Sequence, residues 1–203
     1  DVYSNPELTL LKLGQLPALR SLKCIFNDAL VSLSFKGLTN LSDVQCGSNP
    51  QLSIIETGEK INVRSLSIGD CAFRSLEFIN SFPLLQELSC SSNNLTSLDL
   101  SELPLLRSVD CSDNKKLVHL QIPEQNSVNP ILQNLDCSFC YLDEKELNAI
   151  FCVLPVAPNP YPEYPSGYGI TFNGNPGSEN CDRKLVEDKG WNIFVNPEDL
   201  INR

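Results

Sequence analysis

Apolar residues recur along this chain with a period much longer than that of a helix or a strand. A nine-residue unit, L-x-x-L-x-C-x-x-N, occurs six times. Val or Ile replaces some Leu or Cys in these copies, and Cys replaces the final Asn in two of them. The copies begin at Leu19, Leu41, Val63, Leu85, Leu106 and Leu132. They end at Asn27, Asn49, Cys71, Asn93, Asn114 and Cys140, in steps of 22, 22, 22, 21 and 26 residues. This period predicts a stack of similar coils.

A second apolar triplet follows each of the first five copies, so each coil is expected to have two extended sides. The triplets are Leu30-x-x-Leu33-x-Phe35, Leu52-x-x-Ile55-x-Thr57, Phe73-x-x-Leu76-x-Phe78, Leu95-x-x-Leu98-x-Leu100 and Leu117-x-x-Leu120-x-Ile122. Because one coil cannot bury its own leucines, the coils must stack at a strand spacing of about 4.8 Å and share a core. The Asn that ends each unit is expected to turn inward and bond unpaired backbone groups, with Cys71 and Cys140 as substitutes.

The pattern L-x-x-L-x-[LC]-x-x-[NC] resembles the leucine-rich-repeat superfamily, and its short coil is similar to internalin-type repeats. The phrases LQELSCSSNNLTSLDLSELPLLRSVDCSDNKKL and ITFNGNPGSENCDRKLVEDKGWNIFV resemble secreted or surface leucine-rich-repeat proteins of Bacteroidetes more closely still. The resemblance implies an α/β repeat fold: a right-handed solenoid of about seven coils with a parallel concave β-sheet and few helices. It also implies a binding role and carries over no catalytic residue.

We divide the chain into leucine-rich-repeat coils over residues 1–142 and a C-terminal helix/strand cap over 143–203. Counting back from Asn27 places Asn5 in an incomplete first coil, so we expect that upstream sequence has been removed or that another chain covers this edge. In the cap, the pattern predicts a helix ending at Pro155, a Pro/Tyr-rich loop over 155–169, a strand over 170–173, a short helix over 182–189 and a closing strand over 191–195.

The step from Asn114 to Cys140 is 26 residues long, so this coil carries about four extra residues. The triplets that begin at Leu117 and Leu132 keep the register on either side. We therefore expect the extra residues to form a loop between Pro123 and Ile131, because solvated loops tolerate insertion better than cores.

Charge narrows the choice of partner. The formal net charge of -10 and the pI of about 4.5 argue against nucleic acid and anionic membranes, which both require clustered Lys and Arg. A basic or neutral partner fits better. The sequence contains no apolar run of 18 residues that would insert into a membrane. Methionine is absent, so we expect a processed or truncated chain from which a targeting segment can have been removed.

Nine cysteines invite a redox or metal interpretation, and Cys137 and Cys140 have CxxC spacing. The repeat nevertheless accounts for the inward column Cys24, Cys46, Cys90, Cys111 and Cys137, in which thiols act as small hydrophobes. Ile68 fills the same column, so we expect reduced, buried thiols without metal, cofactor or catalysis. Whether Cys152 and Cys181 form a disulfide stays open. The single histidine, His119, is expected on an open surface without a catalytic partner.

Side chains between the inward leucines should form the concave surface. One column runs Lys23, Gln45, Ser67, Ser89, Asp110 and Asp136; a second runs Ser21, Asp43, Ser65, Glu87, Ser108 and Asn134; and a third runs Phe26, Ser48, Asp70, Ser92, Asp113 and Phe139. The surface is therefore serine-rich and increasingly acidic. A plain solvated surface and a partner-binding surface both fit these columns, and a Ca²⁺ site at the aspartates is disfavoured because no EF-hand loop is present.

Three hypotheses follow. The first is a secreted or surface-exposed binding module, without enzymatic activity, that recognises a protein or peptide. The second is a carbohydrate-binding or adhesive domain that uses Tyr161, Tyr164 and Tyr168 as a stacking platform. The third is a structural spacer of a larger receptor. The ligand-binding candidates are Lys23, Phe26, Gln45, Asp70, Glu87, Asp110, Asp113, Asp136, Phe139, Tyr161 and Tyr164.

Overall fold

The computed structural model describes residues 1–58, 60–124, 132–158 and 167–195. The strands in chain order are β1 (Val2–Tyr3), β2 (Leu10–Lys12), β3 (Ser21–Ile25), β4 (Ser32–Ser34), β5 (Asp43–Gln45), β6 (Ile54–Glu56), β7 (Ser65–Ser67), β8 (Glu87–Ser89), β9 (Ser97–Asp99), β10 (Ser108–Asp110), β11 (His119–Gln121), β12 (Asn134–Asp136), β13 (Gly169–Thr171) and β14 (Asn192–Phe194). The helices are α1 (Glu144–Val153), α2 (Lys184–Glu187) and a short 3₁₀ helix (Glu77–Ser81).

The strands form a parallel β-solenoid of about eight turns. One side is a nine-stranded parallel sheet in the order β1-β3-β5-β7-β8-β10-β12-β13-β14. The other side carries a three-stranded sheet, β2-β4-β6, and a two-stranded sheet, β9-β11. The pairings from β1 to β12 join successive coils in the register that the repeat predicts, as at Leu66 and Leu88. The inward residues Leu22, Val44, Leu66, Leu88, Val109 and Leu135 are all buried in the shared core, as predicted.

The polar residue that ends each unit is buried and joins one coil to the next, as predicted. Asn49 shows the arrangement: its Oδ1 accepts the backbone N–H of Asn27 at 2.8 Å, and its Nδ2 donates to the carbonyls of Cys24 and Cys46 at 2.7 and 2.8 Å. The cysteine substitutes keep the contact to the preceding coil, since the thiol of Cys71 donates to the carbonyl of Cys46 at 3.5 Å. These contacts pair backbone groups that the bend would otherwise leave without partners. We call this stack the Asn ladder; its members are Asn5, Asn27, Asn49, Cys71, Asn93, Asn114, Cys140 and Asn175.

The residue before each ladder member has a positive φ, between 51° and 57° in seven coils. The seven residues are Ser4, Phe26, Ser48, Asp70, Ser92, Asp113 and Phe139. Gly174, at φ 74°, holds the equivalent place before Asn175. The left-handed conformation reverses the chain sharply and turns the following Asn into the core, so the backbone strain of about 1–2 kcal/mol per residue is part of the repeat.

The second side of the solenoid departs from the predicted pattern in its middle coil. The triplet Phe73-x-x-Leu76-x-Phe78 was expected to be extended, but the 3₁₀ helix begins at Glu77 and separates the two smaller sheets. Aromatic rings pack together at this place. The ring of Phe78 lies 5.7 Å from that of Phe73 and 6.0 Å from that of Phe82, in an arrangement that aromatic pairs favour.

The C-terminal segment contains the predicted helix, strand, short helix and strand. Helix α1 is capped by Asp143, whose side chain accepts the N–H of Glu146 at 2.8 Å. Strands β13 and β14 extend the nine-stranded sheet. Asn175 is a further ladder member that the repeat pattern did not identify: its Nδ2 donates to the carbonyls of Cys137 and Phe172, and its Oδ1 accepts the N–H of Leu142.

Two side chains that the pattern did not identify hold this segment together. The Nζ of Lys189 donates to three carbonyls at the end of α1, those of Phe151, Cys152 and Leu154, at 2.6–3.0 Å. The indole of Trp191 donates to the carbonyl of Pro155 at 2.7 Å. The Lys189 contacts satisfy carbonyl groups that a helix end leaves without intrahelical partners, and the Trp191 contact bonds the carbonyl of the second residue after α1.

Candidate functional site

The candidate binding residues of the coils lie along the face of the nine-stranded sheet that points away from the core, which we call the outer face. The pairing register places Lys23, Gln45, Ser67, Ser89, Asp110 and Asp136 in one row across the strands, and Thr171 and Phe194 continue it. Asp70 and Glu87 are exposed, while Lys23, Asp110, Asp113, Asp136 and Phe139 are partly buried. The structure thus brings the candidates from the coils into continuous rows, and whether they bind a ligand stays a prediction.

A row of residues immediately before the strands also belongs to this surface, and the sequence reasoning missed it. Its members are Arg20, Ser42, Arg64, Gln86, Arg107 and Gln133. Backbone hydrogen bonds of 2.8 Å link the six in order, each N–H donating to the carbonyl of the row member in the preceding coil. Successive members are therefore one strand spacing apart, about 4.8 Å. The signal was present in the sequence, because the phrase [LV]-R-S-[LV] occurs at residues 19–22, 63–66 and 106–109 only.

Charge alternates from coil to coil along this edge of the outer face. We call Arg20, Arg64 and Arg107 the arginine column; all three side chains are exposed. The coils between them carry Asp43 and Glu87, both exposed, at the next position along the chain. The structure records no hydrogen bond or ion pair of the three guanidinium groups with any residue in the described ranges. The three guanidinium groups are therefore available to a partner.

The middle of the outer face is a shallow depression of about 570 Å³. Short side chains line its floor, among them Ser65, Ser67, Ser89 and Ser108, and Glu87, Arg107 and Asp110 also line it. The hydroxyl of Ser65 donates to Glu87 Oε2 at 3.2 Å. Because serines replace bulky groups over several adjacent strands, an extended chain can approach the sheet closely here.

Carboxylates gather toward the C-terminal end of the outer face. Asp110 and Asp136 are direct neighbours on β10 and β12, an unfavourable pairing for like charges. Burial raises the pKa of Asp136, and the carboxylates of Asp110 and Asp113 add to this rise, while hydrogen bonds from Ser138 oppose it. Asp136 Oδ1 accepts the Ser138 N–H at 2.9 Å and its hydroxyl at 2.6 Å. Within the described ranges, no three His, Cys, Asp or Glu side chains are grouped so that they could hold a metal ion.

The aromatic candidates differ in their surroundings. Phe26 is 56% exposed, whereas the ring of Phe139 lies over Gly174, so close that a Cβ on Gly174 would come within 2.4 Å of it. Tyr161 and Tyr164, like the loop predicted between Pro123 and Ile131, lie outside the described residues. The prediction of an exposed Tyr168 is wrong: this ring is buried and packs edge-on against Trp191 at 5.5 Å.

Neither the histidine nor the inward column of cysteines shares the outer face with the serines. His119 is on β11, on the other side of the solenoid, and its exposed ring is 3.5 Å from Glu146 Oε2. All nine cysteines are free thiols, eight of them buried, and Cys152 is exposed. Burial raises the pKa of the Cys71 thiol to about 11. The absence of metal and redox chemistry at these thiols stays a prediction.

Comparison with known proteins adds no relative to this picture. No protein-family model matches the chain, and no curated protein matches it in sequence. In the part of the chain that the structure describes, no helix is long and apolar enough to cross a membrane.

Proposed function

We propose that this chain is a leucine-rich-repeat binding module, without enzymatic activity, of a secreted or surface-exposed bacterial protein. Its outer face is the concave face of a right-handed solenoid, and it recognises a protein or peptide partner. Residues 143–203 serve as the terminal cap. The repeat pattern and the Asn ladder support the assignment to leucine-rich repeats.

The depression on the outer face is the observation that carries the binding proposal. Four serines on three adjacent strands, β7, β8 and β10, leave room for a partner, and Glu87, Asp110 and Arg107 supply charges around them. The Asn ladder holds these strands in fixed register, so the surface is preorganised and loses little conformational entropy on binding. A binding role without chemistry agrees with the position of the chain's single histidine on β11, where it cannot act as a base for these serines.

Blocking the depression tests the proposal. A displayed library of random peptides is selected on the wild-type chain, and the Kd of each enriched peptide is measured on two variants. Ser67→Trp fills the depression, whereas Ser97→Trp places the same bulk on the exposed side of β9. We expect Ser67→Trp to abolish binding and Ser97→Trp to preserve it. Equal affinities for the two variants would contradict the proposal.

A carbohydrate-binding role is the second candidate, and one observation favours it. Tyr141 is 61% exposed and lines a groove of about 780 Å³ together with Glu179 and Arg183. An exposed ring beside charged side chains suits a sugar, which stacks on aromatic faces and hydrogen-bonds at its rim. Tyr141→Ala should then abolish glycan-array binding and leave peptide binding intact.

A further inference from the structure

The outer face repeats every two coils rather than every coil. At the start of the strands of the nine-stranded sheet, Arg-Ser pairs occur at residues 20–21, 64–65 and 107–108, with steps of 44 and 43 residues. The intervening coils have Ser42-Asp43 and Gln86-Glu87 at the same places. Core packing does not require this alternation, because the inward residues on both kinds of coil are the same Leu and Val types. The alternation therefore belongs to the surface.

The spacing of the arginine column follows from the hydrogen-bonded row that contains it. The N–H of Ser42 donates to the carbonyl of Arg20, and the carbonyl of Ser42 accepts the N–H of Arg64. Gln86 connects Arg64 and Arg107 through the same two backbone hydrogen bonds. Two strand spacings thus separate neighbouring arginines, about 9.6 Å. The acidic residues Asp43 and Glu87 lie between them at the same interval, displaced by one coil.

Few regular backbones have this repeat. A polyproline II helix turns once every three residues and advances about 9.3 Å per turn. Two turns of an α-helix advance about 10.8 Å, and side chains on one face of a β-strand recur at about 6.6–6.8 Å. The three arginines span two intervals, about 19 Å in all. Over this span, two repeats of polyproline II differ in length from the arginine spacing by about 0.6 Å, and two repeats of the α-helix differ by about 2.4 Å.

We propose that the outer face binds a partner segment in the polyproline II conformation that carries an acidic residue at every third position and a basic residue in the same triplet. The acidic residues pair with the arginine column, since a guanidinium group binds a carboxylate with two parallel hydrogen bonds. The basic residues face Asp43 and Glu87. The third residue of each triplet points to solvent and is free to be proline.

The net charge of -10 does not oppose this partner. At physiological ionic strength, exposed charges farther apart than about 8 Å are screened. The arginines are within reach of the bound segment, whereas most of the protein's carboxylates are not. A triplet that carries one charge of each sign is also neutral, so it approaches without net repulsion.

Two peptides and two triple variants test this inference, which rests on the proposed binding role of the outer face. The ligand is acetylated and amidated (Glu-Pro-Lys)₅, and its control has the same composition in an order that breaks the three-residue period. Arg20→Gln/Arg64→Gln/Arg107→Gln removes the arginine column. Arg74→Gln/Lys145→Gln/Lys184→Gln removes the same charge from exposed positions away from the outer face. Binding is followed by fluorescence anisotropy, and thermal unfolding verifies that each variant is folded.

We expect the periodic peptide to bind more tightly than the shuffled one, and loss of the arginine column to raise its Kd about tenfold or more. The control triple variant should keep the wild-type Kd. Equal affinity for the two peptides, no binding of either, or equal effects of the two triple variants would overturn the inference. The two proposals can fail separately. If the triple arginine variant binds like wild type but Ser67→Trp still abolishes binding of library-selected peptides, the proposed function stands and only this inference fails. If Ser67→Trp also has no effect, both fail.

Discussion

The two sides of the solenoid are built from the same coils but differ in continuity. The nine-stranded side runs without a break from β1 to β14, whereas the second side is divided by the 3₁₀ helix at Glu77–Ser81. The Asn ladder lies at the bend that follows the strands of the continuous side. There, each buried Asn bonds backbone groups of its own coil and of the preceding one, as Asn49 does. The comparison indicates that apolar spacing alone does not keep a side extended, whereas the side next to the buried polar bonds between coils is uninterrupted.

Breaking one ladder member should have the largest effect. Asn49→Ala would leave the N–H of Asn27 and the carbonyl of Cys24 buried without these partners, at about 1–3 kcal/mol for each. We expect the free energy of unfolding to fall by about 2–6 kcal/mol in urea titrations. The matched change on the second side is Thr57→Ala, which removes one partly buried contact to Ser81 and should cost under about 1 kcal/mol. Equal losses would contradict the comparison.

The last turn of the ladder gives the second prediction. Gly174→Ala should cost more than the left-handed backbone strain of about 1–2 kcal/mol, because the new Cβ would also meet the ring of Phe139. Gly167→Ala is the control: Gly167 has a similar φ, 72° against 74°, and open space around its Cα. Thermal unfolding of both variants measures the difference. A cost for Gly174→Ala no larger than for Gly167→Ala would show that the ring does not constrain this turn.

A pH titration of stability tests how well the ladder is buried. The Cys71 pKa of about 11 in the folded chain lies above the usual thiol value of about 8.5. Between these two pH values the unfolded chain loses the proton and the folded chain keeps it, so stability must fall as pH rises. Between pH 7 and pH 10, we expect the free energy of unfolding to fall in wild type by about 1–2 kcal/mol more than it falls in Cys71→Asn. Parallel pH profiles would mean that Cys71 is solvated.

The smallest predicted effect concerns the end of the second side. Glu146 Oε1 accepts the N–H of Leu120 at 3.0 Å, so this carboxylate on α1 satisfies a backbone group of β11. Glu146→Ala should reduce the free energy of unfolding by about 0.5–1.5 kcal/mol more than Glu144→Ala does. Both variants remove a carboxylate from the first turn of α1, so the contribution of the helix dipole cancels. Equal losses in urea titrations would mean that the bond to β11 is not needed.

Much of the fold could be predicted because the repeat determines it residue by residue. The spacing of Leu66, Leu88 and Val109 gave strand positions, inward direction and register together. The 3₁₀ helix could not be predicted, since Phe73 and Phe78 satisfy the apolar pattern of an extended triplet. Asn175 was missed as a ladder member because it lies 35 residues after Cys140, which is more than one coil length.

The candidate site was predicted less completely. The rows through Ser67 and Glu87 follow from side-chain alternation in a strand. The arginine column lies just before the strands, where the alternation of side chains no longer indicates which way a side chain points. The column also appears only when every second coil is compared. Tyr168 was misplaced because a Pro- and Tyr-rich segment suggests exposure, whereas this ring packs against Trp191, 23 residues farther along the chain.

The central claim is that the outer face of the nine-stranded sheet is the binding surface. Its most direct test is an amide chemical-shift titration of the isotope-labelled chain with a peptide selected from the displayed library. The account predicts perturbed amides at residues 64–67, 86–89 and 107–110, with little change in β9, β11 or around Tyr141. Perturbations confined to the second side or to the groove beside Tyr141 would contradict it.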